Sequence, residues 1–131
     1  MSRERLPPER AGVTRALRIP YVDDQCQPQV LKFWAQANAY EDGRLAEVFI
    51  HGDKIGDLVS GALDALACAL SVALQHGVPM SELTSKLRFG RFGPNGFTGD
   101  ASFPRCTSMF DLLAQWLEAK FPDGKRREVV P

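Results

Sequence analysis

The segment from Arg88 to Arg105 holds the residue types best suited to bind a ligand. Its sequence, "RFGRFGPNGFTGDASFPR", contains four glycines and two prolines. Glycines let backbone N–H groups approach an anion, and a helix is predicted to begin just after the segment, where phosphate groups bind readily. The residues predicted to bind a phosphate or nucleotide are Arg88, Arg91, Asn95, Gly96, Arg105, Thr107 and Ser108.

Two interpretations of this segment stay open. The pattern is not a Walker motif, and it lacks the strand–glycine–helix order of a dinucleotide-binding fold. The segment could therefore also be a solvated, well-packed connector. Its phenylalanines could stack on a nucleotide base or hold the loop against the core; they are Phe89, Phe92, Phe97 and Phe103.

No nucleophile, base and orienting group can be assembled, so we predict no catalytic residue. His51 and His76 fall at the ends of predicted elements, where structural roles suffice. Cys26, Cys68 and Cys106 lie far apart without a Cys-x-x-Cys pair, which argues against disulfides and against a metal site. We expect Cys68 to be a small core residue. Cys106 precedes a helix start, which could lower its pKa modestly, and a redox or metal role for it stays open.

Length and charge predict one globular domain. The chain has 131 residues, 44% of them hydrophobic, and its sixteen basic and sixteen acidic residues cancel. We therefore expect no nucleic-acid or membrane binding, and a cytoplasmic location, since no signal-peptide pattern opens the chain. Residues 1–12 are predicted to be an arm, 13–121 the domain and 122–131 a basic tail.

The predicted fold class is α+β. A hairpin over residues 30–51, turning at Glu41-Asp42-Gly43, joins an N-terminal strand, Val13 to Ile19, that Pro20 should end. This small antiparallel sheet should pack on a long alanine-rich helix, with two further helices. Trp34, Tyr40 and Phe49 lie on the polar face of the sheet and predict an interface and a homo-oligomer, unless another element covers them.

Cap residues and apolar spacing predict the helices. The long helix should begin at Asp53 or Asp57 and end at the left-handed cap Gly77. A short helix should follow from Ser81, and a last helix should begin at Thr107 or Ser108. The predicted apolar stripe of the long helix is Leu58, Ala62, Ala65, Leu66, Ala69, Leu70, Ala73 and Leu74; that of the last helix is Met109, Leu112, Leu113, Trp116, Leu117 and Phe121.

Five stretches in order resemble a known family: "LPPERAG", "AYEDGRLAEVFIHG", "ALSVALQHGVPMSEL", "RFGRFGPNGFTGD" and "CTSMFDLL". They are similar to the C-terminal accessory (TSCPD) domain of adenosylcobalamin-dependent, class II ribonucleotide reductases, which serve deoxyribonucleotide and DNA synthesis. The Thr-Ser-Cys-Pro-Asp string that names the domain is absent, and "RCTSMFDLL" stands near its place. A role of that cysteine could pass at most to Cys106.

The resemblance implies an accessory module without the catalytic barrel, its cysteine pair or its cofactor. Similarity alone would label the chain a ribonucleoside-diphosphate reductase, but we do not expect it to reduce nucleotides by itself. Our main hypothesis is a non-catalytic module that binds a nucleotide or phosphate, serving a class II reductase body or standing free, for example in a phage. The alternatives are an interaction or dimerisation module without a ligand, and an intact small enzyme.

Overall fold

A computed structural model describes residues 2–122 as an α+β fold with three helices and five strands, which confirms the predicted fold class. Apart from Pro122, the predicted basic tail lies outside these residues. The strands are β1 (Ala11–Val22), β2 (Pro28–Ala39), β3 (Leu45–Gly52), β4 (Gly96–Phe97) and β5 (Arg105–Cys106); the helices are α1 (Asp57–Gln75), α2 (Met80–Leu87) and α3 (Met109–Lys120).

The main sheet is antiparallel in the order β1-β2-β3, and β4 pairs with β5 in a separate two-stranded sheet. The predicted hairpin is confirmed, with Gly43 at a φ of 93° in its turn. Strand β1 is longer than predicted, because it runs through Pro20 and begins at Ala11, within the residues assigned to the arm. Proline is tolerated there because β1 is an edge strand of its sheet, and an edge strand needs hydrogen bonds on one side only.

Helix α1 packs on the sheet with a face that matches the predicted stripe only in part, at Leu70, Leu74 and the half-buried Leu66 and Ala73. Leu63, Ala67, Leu70 and Leu74 are buried, whereas Leu58 is 87% exposed. Ala62, Ala65, Cys68 and Ala69 are exposed as well, so Cys68 is not the predicted core residue. Apolar and small residues surround this helix on most sides, and periodicity alone therefore could not choose the buried face.

The buried face of α1 includes two polar residues that bond to the edge of β3. The Ser71 hydroxyl lies 2.9 Å from the Val48 nitrogen and 3.1 Å from the Val48 oxygen. The Gln75 side-chain amide donates to the Ala46 oxygen at 3.1 Å. These bonds satisfy backbone groups that a strand edge would otherwise leave unpaired, so they align α1 with β3.

The helix ends agree with the predictions only in part. Helix α1 begins after Gly56, at a φ of 84°, with no side-chain cap from Asp53 or Asp57. It ends as predicted at Gly77, where the bonds from the Gly77 and Val78 amides to Leu74 and Ala73 form a Schellman motif.

The starts of the two shorter helices also agree with the predictions only in part. Helix α2 begins after Pro79, ahead of the predicted Ser81. Helix α3 begins at the predicted cap, because the Ser108 hydroxyl accepts from the Asp111 amide at 3.1 Å. Its predicted apolar stripe is buried except for Phe121, which is half-buried.

Within residues 2–122, α1 is the one helix with the length and apolar composition needed to cross a membrane. Core helices of soluble proteins share that composition, so this is weak evidence for a membrane span. One face of α1 is packed against the sheet of its own domain.

Candidate functional site

A cleft of about 650 Å³ lies between the Arg88–Thr107 segment and the start of α3. Six of the seven residues predicted to bind a phosphate line it, and Ser108 does not. The lining consists of Arg88, Phe89, Arg91, Asn95, Gly96, Phe97, Pro104, Arg105, Cys106, Thr107, Asp111 and Gln115. Small-molecule sites in proteins have volumes of roughly 300–1,000 Å³, so the cleft is large enough for a ligand.

The wall of the cleft is a small hairpin. Strands β4 and β5 pair, and the buried Thr98 closes the loop between them. Its amide donates to the Pro104 oxygen at 2.9 Å, and its hydroxyl donates to the Phe103 oxygen at 2.5 Å. An ion pair between Arg15 and Asp100 ties the loop to β1. The glycine-rich segment is therefore ordered by hydrogen bonds within the hairpin and by the ion pair to β1.

The Asp111 carboxylate organises the base of the cleft. It is 2% exposed and accepts from the Phe89 amide at 2.8 Å, the Thr107 amide at 3.0 Å and the Arg88 Nε at 2.9 Å. Burial raises the pKa of this carboxyl, but these bonds and one from Gln115 outweigh burial and hold the pKa below its usual range. Asp111 is thus a buried, ionised carboxylate, and it takes up hydrogen-bond donors of the protein that could otherwise bind an anionic ligand.

Several predicted phosphate ligands already bond to the protein itself. The Arg88 guanidinium contacts Asp111 and lies 2.9 Å from a Glu118 oxygen through Nη1. The Thr107 hydroxyl donates to the Gly90 oxygen at 2.8 Å, and Ser108 is 0% exposed. These side chains therefore bond to Asp111, Glu118, the Gly90 carbonyl and the helix start, and anion binding by Arg88, Thr107 and Ser108 stays a prediction.

The other predicted residues are open to the cleft. Arg91, Asn95 and Arg105 are exposed, and Gly96 is half-buried. In the described range 2–122, neither Arg91 nor Arg105 forms an ion pair with a carboxylate. The Arg105 guanidinium carbon lies 4.7 Å from the centre of the Phe97 ring. Two cations are thus available at the cleft.

The structure separates the four phenylalanines of the segment. Phe103 is 8% exposed and holds the loop to the core, and Phe92 packs edge-on against Phe110 with the ring centres 5.1 Å apart. Phe89 and Phe97 line the cleft and are 69% and 68% exposed. Phe103 therefore holds the loop against the core as one interpretation predicts, whereas stacking of Phe89 or Phe97 on a base stays a prediction.

Asp111 and Gln115 were not predicted from the sequence, and Phe89 and Phe97 were named there without being separated from the other two phenylalanines. Asp111 stands three residues after the Ser108 cap, a spacing that resembles a capping box and could have identified it. The two rings could not be told from their neighbours, because exposure depends on how the hairpin folds. Phe89 adopts a φ of 64°, a backbone conformation uncommon for a bulky side chain, and this places its amide against Asp111.

Cys106 lies at the cleft, but its environment differs from the prediction. The thiol is 5% exposed. Burial and the nearby Asp111 carboxylate raise its pKa, and backbone hydrogen bonds from Gly96 and Ser108 act in the opposite direction without reversing the shift. The expected lowering by the helix start is therefore wrong, since desolvation dominates.

The predicted interface, formed by Trp34, Tyr40 and Phe49, is exposed only in part. Trp34 and Phe49 are 40% and 38% exposed on the outer face of the sheet. Tyr40 is 8% exposed, because its hydroxyl donates to the Glu4 oxygen at 2.6 Å and the N-terminal arm covers it. Tyr40 therefore does not contribute to an open surface.

Comparison with known proteins gives a consistent result. A family model described as the TSCPD domain matches residues 25–121. The chain is 33% identical over 122 residues to a vitamin B12-dependent ribonucleotide reductase of Rhodopirellula baltica, covering 93% of this chain and 11% of the relative. Proteins of the same name from Streptantibioticus cattleyicolor and Bradyrhizobium diazoefficiens are 34% and 31% identical, covering 98% and 91% of the chain.

The chain spans 20% of the Streptantibioticus relative and 9% of the Bradyrhizobium one. It therefore corresponds to a small part of these reductases. No solved structure shows a significant similarity to it. Because the family model covers most of the chain, including α1, the cleft and α3, the protein belongs to the TSCPD domain family.

Proposed function

We propose that this protein is a non-catalytic accessory module, related to ribonucleotide reductases, whose cleft binds a nucleotide or another phosphate-bearing ligand. The observation that carries the proposal is the composition of the cleft. Two exposed phenyl rings and two arginines without a carboxylate partner in residues 2–122 line one cavity of about 650 Å³.

The charge of the cleft favours an anion. Three arginines and one aspartate line it, which leaves a formal excess of two positive charges. Arginine presents a planar fork of donors that matches a phosphate group in geometry as well as charge. Arg91 and Arg105 are the residues proposed to contact the phosphate, with Asn95 and the Gly96 backbone beside them.

The rings favour a flat aromatic group on the same ligand. Stacking of a base on an aromatic side chain contributes about 1–3 kcal/mol and tolerates any base. Phe89 and Phe97 expose most of their surface at the cleft. A nucleotide offers both a base and a phosphate, so it uses both kinds of residue.

We propose that the reduction itself takes place on a reductase body and not on this domain. The chain covers 9–20% of the three relatives named above, so it corresponds to a small part of each reductase. A class II reductase body is therefore the proposed partner. We assign no cobalamin to this chain, since the arginines and exposed phenyl rings that line the cleft suit a phosphate and a base.

Isothermal titration calorimetry of the isolated protein against a panel of nucleotides, including cyclic ones, tests the proposal. We expect heat of binding with the wild type, and at least a ten-fold loss of affinity in the Arg91→Ala/Arg105→Ala double variant. Arg18→Ala is the matched control, because Arg18 is an exposed arginine of β1 outside the cleft. No heat with any nucleotide would contradict ligand binding.

The non-catalytic part of the proposal has its own test. The isolated protein should not turn over ribonucleotides when adenosylcobalamin and a dithiol are supplied. Turnover under these conditions would show an intact small enzyme instead.

A second candidate function is an interaction module, favoured by the exposure of Trp34 and Phe49 on one sheet face. If this face joins two copies, Trp34→Glu should convert an oligomer to a monomer in light scattering while the circular dichroism spectrum stays unchanged. Leu58→Glu is the control, because Leu58 is exposed on α1, away from that face. A monomeric wild type would count against the candidate.

A further inference from the structure

We propose that the cleft selects a nucleotide with a single phosphate group, a nucleoside monophosphate, over its di- and triphosphate forms. This inference rests on the proposed nucleotide binding and specifies the ligand further. It follows from how the cations of the cleft are distributed between protein carboxylates and open space.

Only part of the positive charge at the cleft is available to a ligand. Arg88 lines the cleft, but its Nε and Nη1 donate to Asp111 and Glu118 at 2.9 Å each. Those two carboxylates offset its charge, and a ligand that took Arg88 would leave the buried Asp111 without its cationic partner, which is costly. Of the three arginines that line the cleft, Arg91 and Arg105 have no such carboxylate partner within residues 2–122.

Two free guanidinium groups match one phosphate monoester. Such a group carries about −1.5 to −2 charges at pH 7 and offers three acceptor oxygens. Arg91 and Arg105 can balance that charge in full. Each further phosphate of a di- or triphosphate adds negative charge without a further cleft arginine that is free of a carboxylate partner.

The exposed rings of the cleft should give a nucleotide a higher affinity than free phosphate. The Arg105 guanidinium lies over Phe97, so a phosphate bound by Arg105 is close to an exposed ring. A base attached to that phosphate through one sugar can then contact Phe97 or Phe89. The cleft therefore holds the positive and aromatic groups at the short separation that a mononucleotide spans.

Calorimetry with adenosine, AMP, ADP and ATP tests the inference, because the base stays the same and only the number of phosphates changes. Inorganic phosphate is measured alongside them. We expect AMP to bind at least ten-fold more tightly than either adenosine or phosphate. ADP and ATP should bind more weakly than AMP. The same series with cytosine nucleotides should give the same order, because stacking tolerates any base.

The outcomes separate this inference from the function on which it rests. Affinity that stays equal or rises from AMP to ADP and ATP would overturn monophosphate selection and leave nucleotide binding intact. Equal affinity for AMP and inorganic phosphate would overturn the contribution of the base. Absence of binding by every compound would contradict the proposed function itself.

Two variants assign the effect to the named residues. Arg105→Ala should reduce the ratio of AMP to adenosine affinity about ten-fold, and Phe97→Leu should reduce affinity for both about equally. Phe92→Leu is the control for the second, since Phe92 packs on Phe110 and does not line the cleft. Urea unfolding of each variant shows whether a loss of binding reflects a loss of folded protein. An unchanged ratio in folded Arg105→Ala would contradict the assignment.

Discussion

The sheet with α1 and the cleft with the start of α3 are held together by different kinds of contact. Helix α1 lies on the sheet through buried aliphatic side chains, and two polar side chains align it with β3. At the cleft, the Asp111 carboxylate accepts hydrogen bonds from the Arg88 side chain and from the Phe89 and Thr107 amides. The first region depends on many small contributions, whereas the second depends on a single charge.

The largest effect is expected in the first region. Leu63→Ala removes a side chain that is 2% exposed and should lower the free energy of unfolding by about 2–5 kcal/mol. Leu58→Ala is the matched control on the same helix, 87% exposed, and should change stability by less than about 0.5 kcal/mol. Urea unfolding of both variants measures the difference, and equal losses would show that α1 buries another face.

Loss of the single charge should have the next largest effect. Asp111→Asn keeps the shape of the side chain but weakens its bonds to Arg88 and the two amides, so stability should fall by about 2–4 kcal/mol. Asp24→Asn, in an exposed loop, is the control. If Asp111→Asn unfolds at the wild-type urea concentration, the cleft does not depend on this carboxylate.

A smaller loss is expected where α1 meets β3. Ser71→Ala removes the hydroxyl that serves the Val48 amide and carbonyl, and leaving them without this partner should cost about 1–2 kcal/mol. Ser60→Ala on the same helix should cost less, since Ser60 lies outside the buried face of α1. Chemical denaturation compares the two, and hydrogen exchange at the Val48 amide should accelerate in Ser71→Ala alone.

The smallest effect is on the pH dependence of stability. The pKa of Asp111 is lower in the folded protein than its usual value of about 3.9, so its charge stabilises the fold above that pH, and this stabilisation is lost as the pH falls through the folded pKa. The stability deficit of Asp111→Asn, measured by urea unfolding at a series of pH values, should therefore shrink as the pH falls from 5 through the folded pKa. A deficit that stays constant would contradict the assigned pKa direction.

Local patterns predicted much of the fold because their causes are local. The hairpin follows from alternation and an Asp-Gly turn, and the Gly77 and Ser108 caps follow from single residues. The buried face of α1 followed only at Leu70 and Leu74, since apolar side chains occur on both faces of the helix. Nor did the burial of Tyr40, because the covering arm comes from 36 residues earlier in the chain.

The residues by themselves determined where the cleft lies: glycines, arginines and a helix start follow one another between Arg88 and Ser108, and six of the seven residues chosen there line one cavity. Only the tertiary structure decided which of them are available to a ligand. Asp111, on the next helix, forms an ion pair with Arg88 and accepts a hydrogen bond from the Thr107 amide. Arg91 and Arg105 are therefore the cleft arginines left for a ligand. Composition counts the charges in a segment, but pairing depends on which carboxylates the fold brings within hydrogen-bonding distance.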